Sequence, residues 1–76
     1  MWINEHNRLK QTFRFHNFTD AFSFMTKVAL VAEKMNHHPN WSNQYNEVTI
    51  ELCTHDGGDV VTEKDHQLAK LIDDFV

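Results

Sequence analysis

Little in this chain lends itself to cross-linking, interruption or membrane insertion. It has one cysteine, Cys53, so no internal disulfide can form and nothing points to an oxidising compartment. Pro39 is the only proline, and the two glycines are adjacent, at 57 and 58. No apolar run approaches the ~20 residues that span a bilayer as a helix. The opening Met1-Trp2-Ile3-Asn4-Glu5 turns polar too early for a signal peptide. The expectation is a soluble, cytoplasmic protein without membrane contact. Basic residues are few as well, seven against eleven acidic, for a formal net charge of −4. That balance argues against direct nucleic-acid binding, which rests on clustered Lys and Arg.

What is present fits one small domain spanning residues 1–76. The apolar fraction is 41%, with six phenylalanines and two tryptophans, so the core is rich in aromatic rings. A core of this size gives limited stability, and self-association is one way to add buried area. Cys53 falls within an alternating strand pattern and reads as a small strand residue rather than a reactive thiol.

Trp2 and Ile3 begin a short strand, followed by a polar turn at Glu5-His6-Asn7. From Arg8 to His16, Leu9, Gln11, Phe13 and Phe15 share one parity, the mark of a half-buried strand. The two strands read as a hairpin that lacks the Asn-Gly or Asp-Gly usual in such turns. His6 and His16 read as solvated. Asn17 or Thr19 caps a helix that runs from Asp20 to Asn36. Its apolar residues form two stripes, Phe22, Met25, Ala29 and Ala32 beside Phe24, Val28, Val31 and Met35. Together they cover roughly half the circumference at ~100° per residue. The excess width serves either the helix's own sheet or another subunit. After Pro39, Trp41–Tyr45 forms a short strand, with a turn near Asn46. Val48, Ile50, Leu52 and Thr54 then alternate with polar or small residues in the clearest strand of the chain. Asp56-Gly57-Gly58-Asp59 is a loop. Thr62 caps a last helix, with Asp65 three residues on as the acidic half of a capping box, and Leu68, Leu71, Ile72 and Phe75 as its apolar face. The fold class is α+β: a small antiparallel sheet of about four strands with helices packed on one face.

The chemistry concentrates at Asn36-His37-His38-Pro39-Asn40-Trp41. Proline disfavours helical geometry in the residue before it, so the helix ends by His37 or His38. Two groups of a type that titrates near neutrality, held at a rigid corner, suit proton transfer. Adjacent imidazoles diverge, and no cysteine pair completes a tetrahedral zinc site, so no metal site is expected. The plainer alternative makes His37 and His38 polar helix-end residues and His55 a strand terminus.

This stretch, with Tyr45-Asn46, the alternating Val48, Ile50 and Leu52, Thr54-His55 and Glu63-Lys64-Asp65, resembles the signature of the pterin-4a-carbinolamine dehydratases. The likeness extends back through Phe13-Arg14-Phe15, Asn17-Phe18 and the helix from Phe22 to Ala29, and so covers nearly the whole chain. The resemblance implies removal of water from 4a-hydroxytetrahydropterin to give quinonoid dihydropterin, in the recycling of tetrahydrobiopterin, without a metal or redox cofactor. His37, His38 and His55 match the family's three active-site histidines. The expectation is that His37 and His55 transfer protons on the two faces of the pterin while His38 binds and orients the ring. Asp65 matches the family's acidic residue and either orients a histidine or caps the helix. Trp41 either walls the pocket or packs in the core.

The family's relatives also imply a homodimer or homotetramer, and as partners an aromatic amino acid hydroxylase or a transcription factor that uses the protein as a dimerisation cofactor. Two departures stand out. The interval from His55 to Asp65 is one residue longer than the family spacing, with the extra residue around Asp59-Val60-Val61. The family's usual N-terminal segment with a helix has no counterpart ahead of the hairpin.

Overall fold

The computed structural model describes residues 1–55 and 58–76, and Asp56 and Gly57, the first half of the expected loop, lie outside it. In chain order the elements are β1 (Ile3–Glu5), β2 (Arg8–Arg14), α1 (Phe18–Met35), β3 (Asn40–Gln44), β4 (Glu47–Leu52) and α2 (Glu63–Asp73). The strands form one antiparallel sheet in the order β1-β2-β4-β3. Leu9, Phe13, Val48, Ile50 and Leu52 are buried together with Ala21, Phe24, Val28 and Ala32 of α1 and Leu68, Ala69 and Ile72 of α2. Both helices therefore cover one face of the sheet, and the α+β architecture expected from the periodicities is the one observed.

The register follows from alternation. Leu9 pairs with Leu52, Gln11 with Ile50 and Phe13 with Val48. A one-residue slip would turn each of these side chains to the open face. Each fully buried aliphatic side chain contributes roughly 1.5–3 kcal/mol. Phe13 and Phe15 both pack on Phe24 of α1, with ring centroids 4.9 and 4.8 Å apart.

Turns the sequence left open depend on left-handed backbone. His6 and Asn7 have φ of 53° and 61° and join Glu5 to Arg8, the two-residue hairpin geometry that usually selects Asn-Gly. Tyr45, at φ 51°, begins the turn between β3 and β4. Of the two candidate caps for α1, Asn17 is the one used, its side chain accepting from the Asp20 N–H at 2.8 Å. The helix buries a narrower stripe than its composition suggests. Ala21, Phe24, Val28 and Ala32 face the core, whereas Phe18, Phe22 and Leu30 are half or more exposed. On α2, Leu68 and Ile72 are buried and Leu71 is turned outward.

Candidate active site

Asn36, rather than Pro39, stops α1. It adopts the left-handed conformation at φ 52°, with its N–H donating back to Ala32 and Glu33 carbonyls. The His37 N–H then donates to the Ala32 carbonyl at 3.0 Å, completing a helix-ending motif of the left-handed type. His37 thus lies just beyond the helix, and the reversal at Asn36 turns its ring inward. The two adjacent imidazoles diverge as expected. His37 is only 8% exposed, while His38 stays at the surface with Nε2 2.7 Å from Glu33 Oε1.

His37 meets a carboxylate from the other end of the chain. Its Nε2 lies 2.5 Å from Oδ1 of Asp65, which is fully buried in the first turn of α2. The second oxygen, Oδ2, accepts from the Thr62 N–H at 2.8 Å and from the Thr54 hydroxyl at 2.8 Å. The Thr54 and Thr62 hydroxyls are themselves 2.6 Å apart. One Asp65 oxygen thus accepts from the N-cap of α2 while the other contacts His37.

Burial pushes the Asp65 carboxyl up. The hydrogen bonds from His37, the Thr62 N–H and Thr54, with the charge of His37, outweigh it and hold the group below its ordinary 3.8. Asp65 is then an ionised acceptor, so His37 Nε2 must carry the proton between them. In a neutral His37 ring, Nδ1 is left with the lone pair.

His55 reaches the same region from the chain beyond β4. An isolated bridge between Thr54 and Val60 turns the segment back, and His55 Nδ1 lies 2.7 Å from Asp59 Oδ1. Two clefts open here. One, of about 270 Å³, is lined by Asn36, His37, His38, Cys53, Thr54, His55 and Lys64. The other, of about 340 Å³, is lined by Arg8, His38, Pro39, Asn40, Glu51, Cys53 and His55. His38, Cys53 and His55 are common to both. The larger falls at the low end of the ~300–1,000 Å³ typical of small-ligand sites.

The three expected histidines are thus brought together, with Asp65 behind His37. Trp41 is placed elsewhere. It pairs with Ile50 in register and lines an apolar groove of about 210 Å³ with Phe22, Met25, Thr26, Ala29 and Leu30 of α1. Strand alternation explains this: Asn40 faces the histidine cleft, so Trp41 faces the helix. Of its two expected parts, a wall of the pocket or packing in the core, its place against α1 and the core is that of the second. The partners of the site residues, Thr54, Thr62, Glu33 and Asp59, come from four different places in the chain. Only Thr62, as a helix cap, carried a local signal.

A search against known families matches residues 1–75 to the model described as pterin 4 alpha carbinolamine dehydratase. The chain belongs to the pterin-4a-carbinolamine dehydratase family. Among its relatives, a Synechococcus sp. (strain WH7803) protein provisionally named a pterin-4-alpha-carbinolamine dehydratase is 57% identical over 72 residues, which is 95% of this chain and 76% of that one. A Prochlorococcus marinus (strain NATL2A) protein with the same provisional name is 49% identical over 75 residues, covering 99% and 78%. Of solved structures, a transcriptional coactivator/pterin dehydratase from Brucella melitensis superposes with a TM-score of 0.90 at 37% identity, covering 99% of this chain and 79% of that one. A pterin dehydratase-like protein identified as a RuBisCO assembly factor in the alpha-carboxysome shares the fold, with a TM-score of 0.80 at 20% identity over 99% and 86% of the two chains. The structure at 37% identity is thus described both as a transcriptional coactivator and as a pterin dehydratase.

Proposed function

We propose that this chain dehydrates a pterin 4a-carbinolamine by histidine acid-base catalysis, yielding quinonoid dihydropterin and water. The observation that carries the reading is the His37–Asp65 pair, 2.5 Å apart around a fully buried carboxylate, beside the cleft that His37 shares with His38 and His55. A lone surface histidine needs no such support. A base that must present one nitrogen in one tautomer does.

In this reading, an acid protonates the 4a-hydroxyl, the C4a–O bond breaks and water departs. The N5 lone pair forms the C4a=N5 double bond, and the N5 proton passes to a base. His37 acts as the base through Nδ1, with Asp65 fixing its tautomer across the ring. His55, in its protonated form and held by Asp59, acts as the acid from the other side of the ring. His38, tethered to Glu33, orients the pterin. One histidine gains a proton and the other loses one, and exchange with solvent restores both. The substrate is a pterin free in solution, released by an aromatic amino acid hydroxylase or another pterin-oxidising reaction. The active species is a homodimer or homotetramer, an assembly supported by the apolar residues that α1 leaves exposed.

Stopped-flow decay of both carbinolamine stereoisomers tests the reading. His37→Ala and His55→Ala are each expected to lose about 10²–10⁴-fold, the usual contribution of a positioned acid or base. Unchanged rates in His37→Ala for both isomers would remove the acid-base assignment.

A second reading, a protein-interaction module, is favoured by the exposure of Phe18, Phe22 and Leu30 on α1 and by the coactivator description of the Brucella relative. It requires a protein that binds partners normally when all three histidines are replaced.

A further inference from the structure

The chain beyond β4 places a cysteine, which the proton-transfer chemistry does not use, beside the His55–Asp59 pair. Cys53 and His55 are two residues apart in an extended segment, so their side chains leave on the same side. The Thr54–Val60 bridge, with its two backbone hydrogen bonds of 2.8 and 3.2 Å, folds Asp59 back beside them. One donor atom from each of Cys53, His55 and Asp59 lies within 4.8 Å of the others. Cys53 is buried at the floor of the group, whereas His55 and Asp59 are exposed at its mouth.

We propose that Cys53, His55 and Asp59 bind a divalent cation of the zinc class, with the fourth coordination position open to the cleft. Zinc takes sulfur at about 2.3 Å and nitrogen or carboxylate oxygen at about 2.0–2.2 Å, so donors around one tetrahedral ion stand about 3.3–3.7 Å apart. Binding therefore requires the exposed His55 and Asp59 side chains to rotate about the buried Cys53 sulfur. A thiolate, an imidazole and a carboxylate select zinc or a similar transition ion over the hard cations magnesium and calcium. Asp59 belongs to the loop that is one residue longer than the family spacing, and it holds a left-handed conformation at φ 56°, one that Asp tolerates better than most residues.

Arg8 Nη1 donates to Cys53 Sγ at 2.7 Å. Binding releases the thiol proton and displaces the guanidinium toward Glu51, already 3.8 Å from Arg8 Nε. The bound ion also engages His55 and removes it from proton transfer, so the cation acts as an inhibitor. This last step rests on the dehydratase reading.

Cobalt titration of the full chain, stripped of metal by a chelator, tests the site without reference to activity. A thiolate-to-cobalt charge-transfer absorption is expected in the wild type, saturating at one ion per chain and reversed by zinc. Cys53→Ser is expected to abolish it, and the exposed Asp59→Asn to keep it while weakening binding at least about tenfold, in the range seen when a metal site loses supporting groups. Absence of the band in the wild type, or equal affinity in Asp59→Asn, would overturn the site. Stoichiometric zinc is then added to the dehydration assay. Loss of turnover with the midpoint of cobalt displacement supports inhibition through His55, and full turnover with zinc bound overturns it. No turnover in the metal-free protein would defeat the dehydratase reading, and with it the inhibition, while the cobalt result still decides the metal site.

Discussion

Asp65 divides its two oxygens between His37 on one side and Thr54 with the Thr62 N–H on the other. Thr54→Val keeps the shape but removes one donor from a buried carboxylate, and is expected to cost about 1–3 kcal/mol of stability. Urea denaturation measures it. Asp65→Asn removes the acceptor that sets the His37 tautomer, and should lower the dehydration rate far more than the affinity for dihydropterin. A pH effect follows as well. The folded chain holds Asp65 below its ordinary 3.8, so in acid the unfolded chain takes up that proton first. The stabilisation is complete above the ordinary value and is lost as pH falls through the lower, folded one. Denaturation curves from pH 5 down to pH 2 should therefore fall more steeply for the wild type than for Asp65→Asn. Equal slopes would show that Asp65 is not held low.

At the scale of elements, α1 must end at one residue for His37 to turn inward. Asn36 does this at φ 52°, a conformation that costs most side chains roughly 1–2 kcal/mol. Asn36→Ala should therefore be destabilised by about that amount and lose activity as His37 shifts. Asn36→Gly should keep both, since glycine adopts the conformation freely. Circular dichroism melts with the rate assay separate these outcomes. Much at this scale was legible in the sequence. Leu9, Gln11, Phe13 and Phe15 alternate because one sheet face is buried, and Thr62 with Asp65 marks a helix start by local chemistry. The three histidines were legible through their resemblance to a family pattern. The Thr54–Asp65 contact was not, because it depends on how α2 docks over the end of β4. The side taken by Trp41 is set by the strand beginning at Asn40, and with Trp41 its only apolar residue that strand has no alternation to mark its parity. The left-handed turns at His6 and Tyr45 carry no glycine to announce them.

For the whole molecule, a 76-residue chain that leaves Phe18, Phe22 and Leu30 half or more exposed on one helix is expected to associate with copies of itself. Sedimentation velocity at high micromolar concentration should show a dimer or tetramer, and Phe22→Glu with Leu30→Glu should shift it toward monomer. A wild-type monomer at that concentration would remove the assembly. The family and the placement of His37, His38, His55 and Asp65 around one cleft support the proposed dehydration. Ultraviolet-monitored decay of a 4a-carbinolamine, with the purified chain and with a His37→Ala, His38→Ala double variant, tests it most directly. The account predicts clear acceleration by the wild type and none by the variant. Decay at the uncatalysed rate with both proteins, or equal acceleration by both, would contradict it.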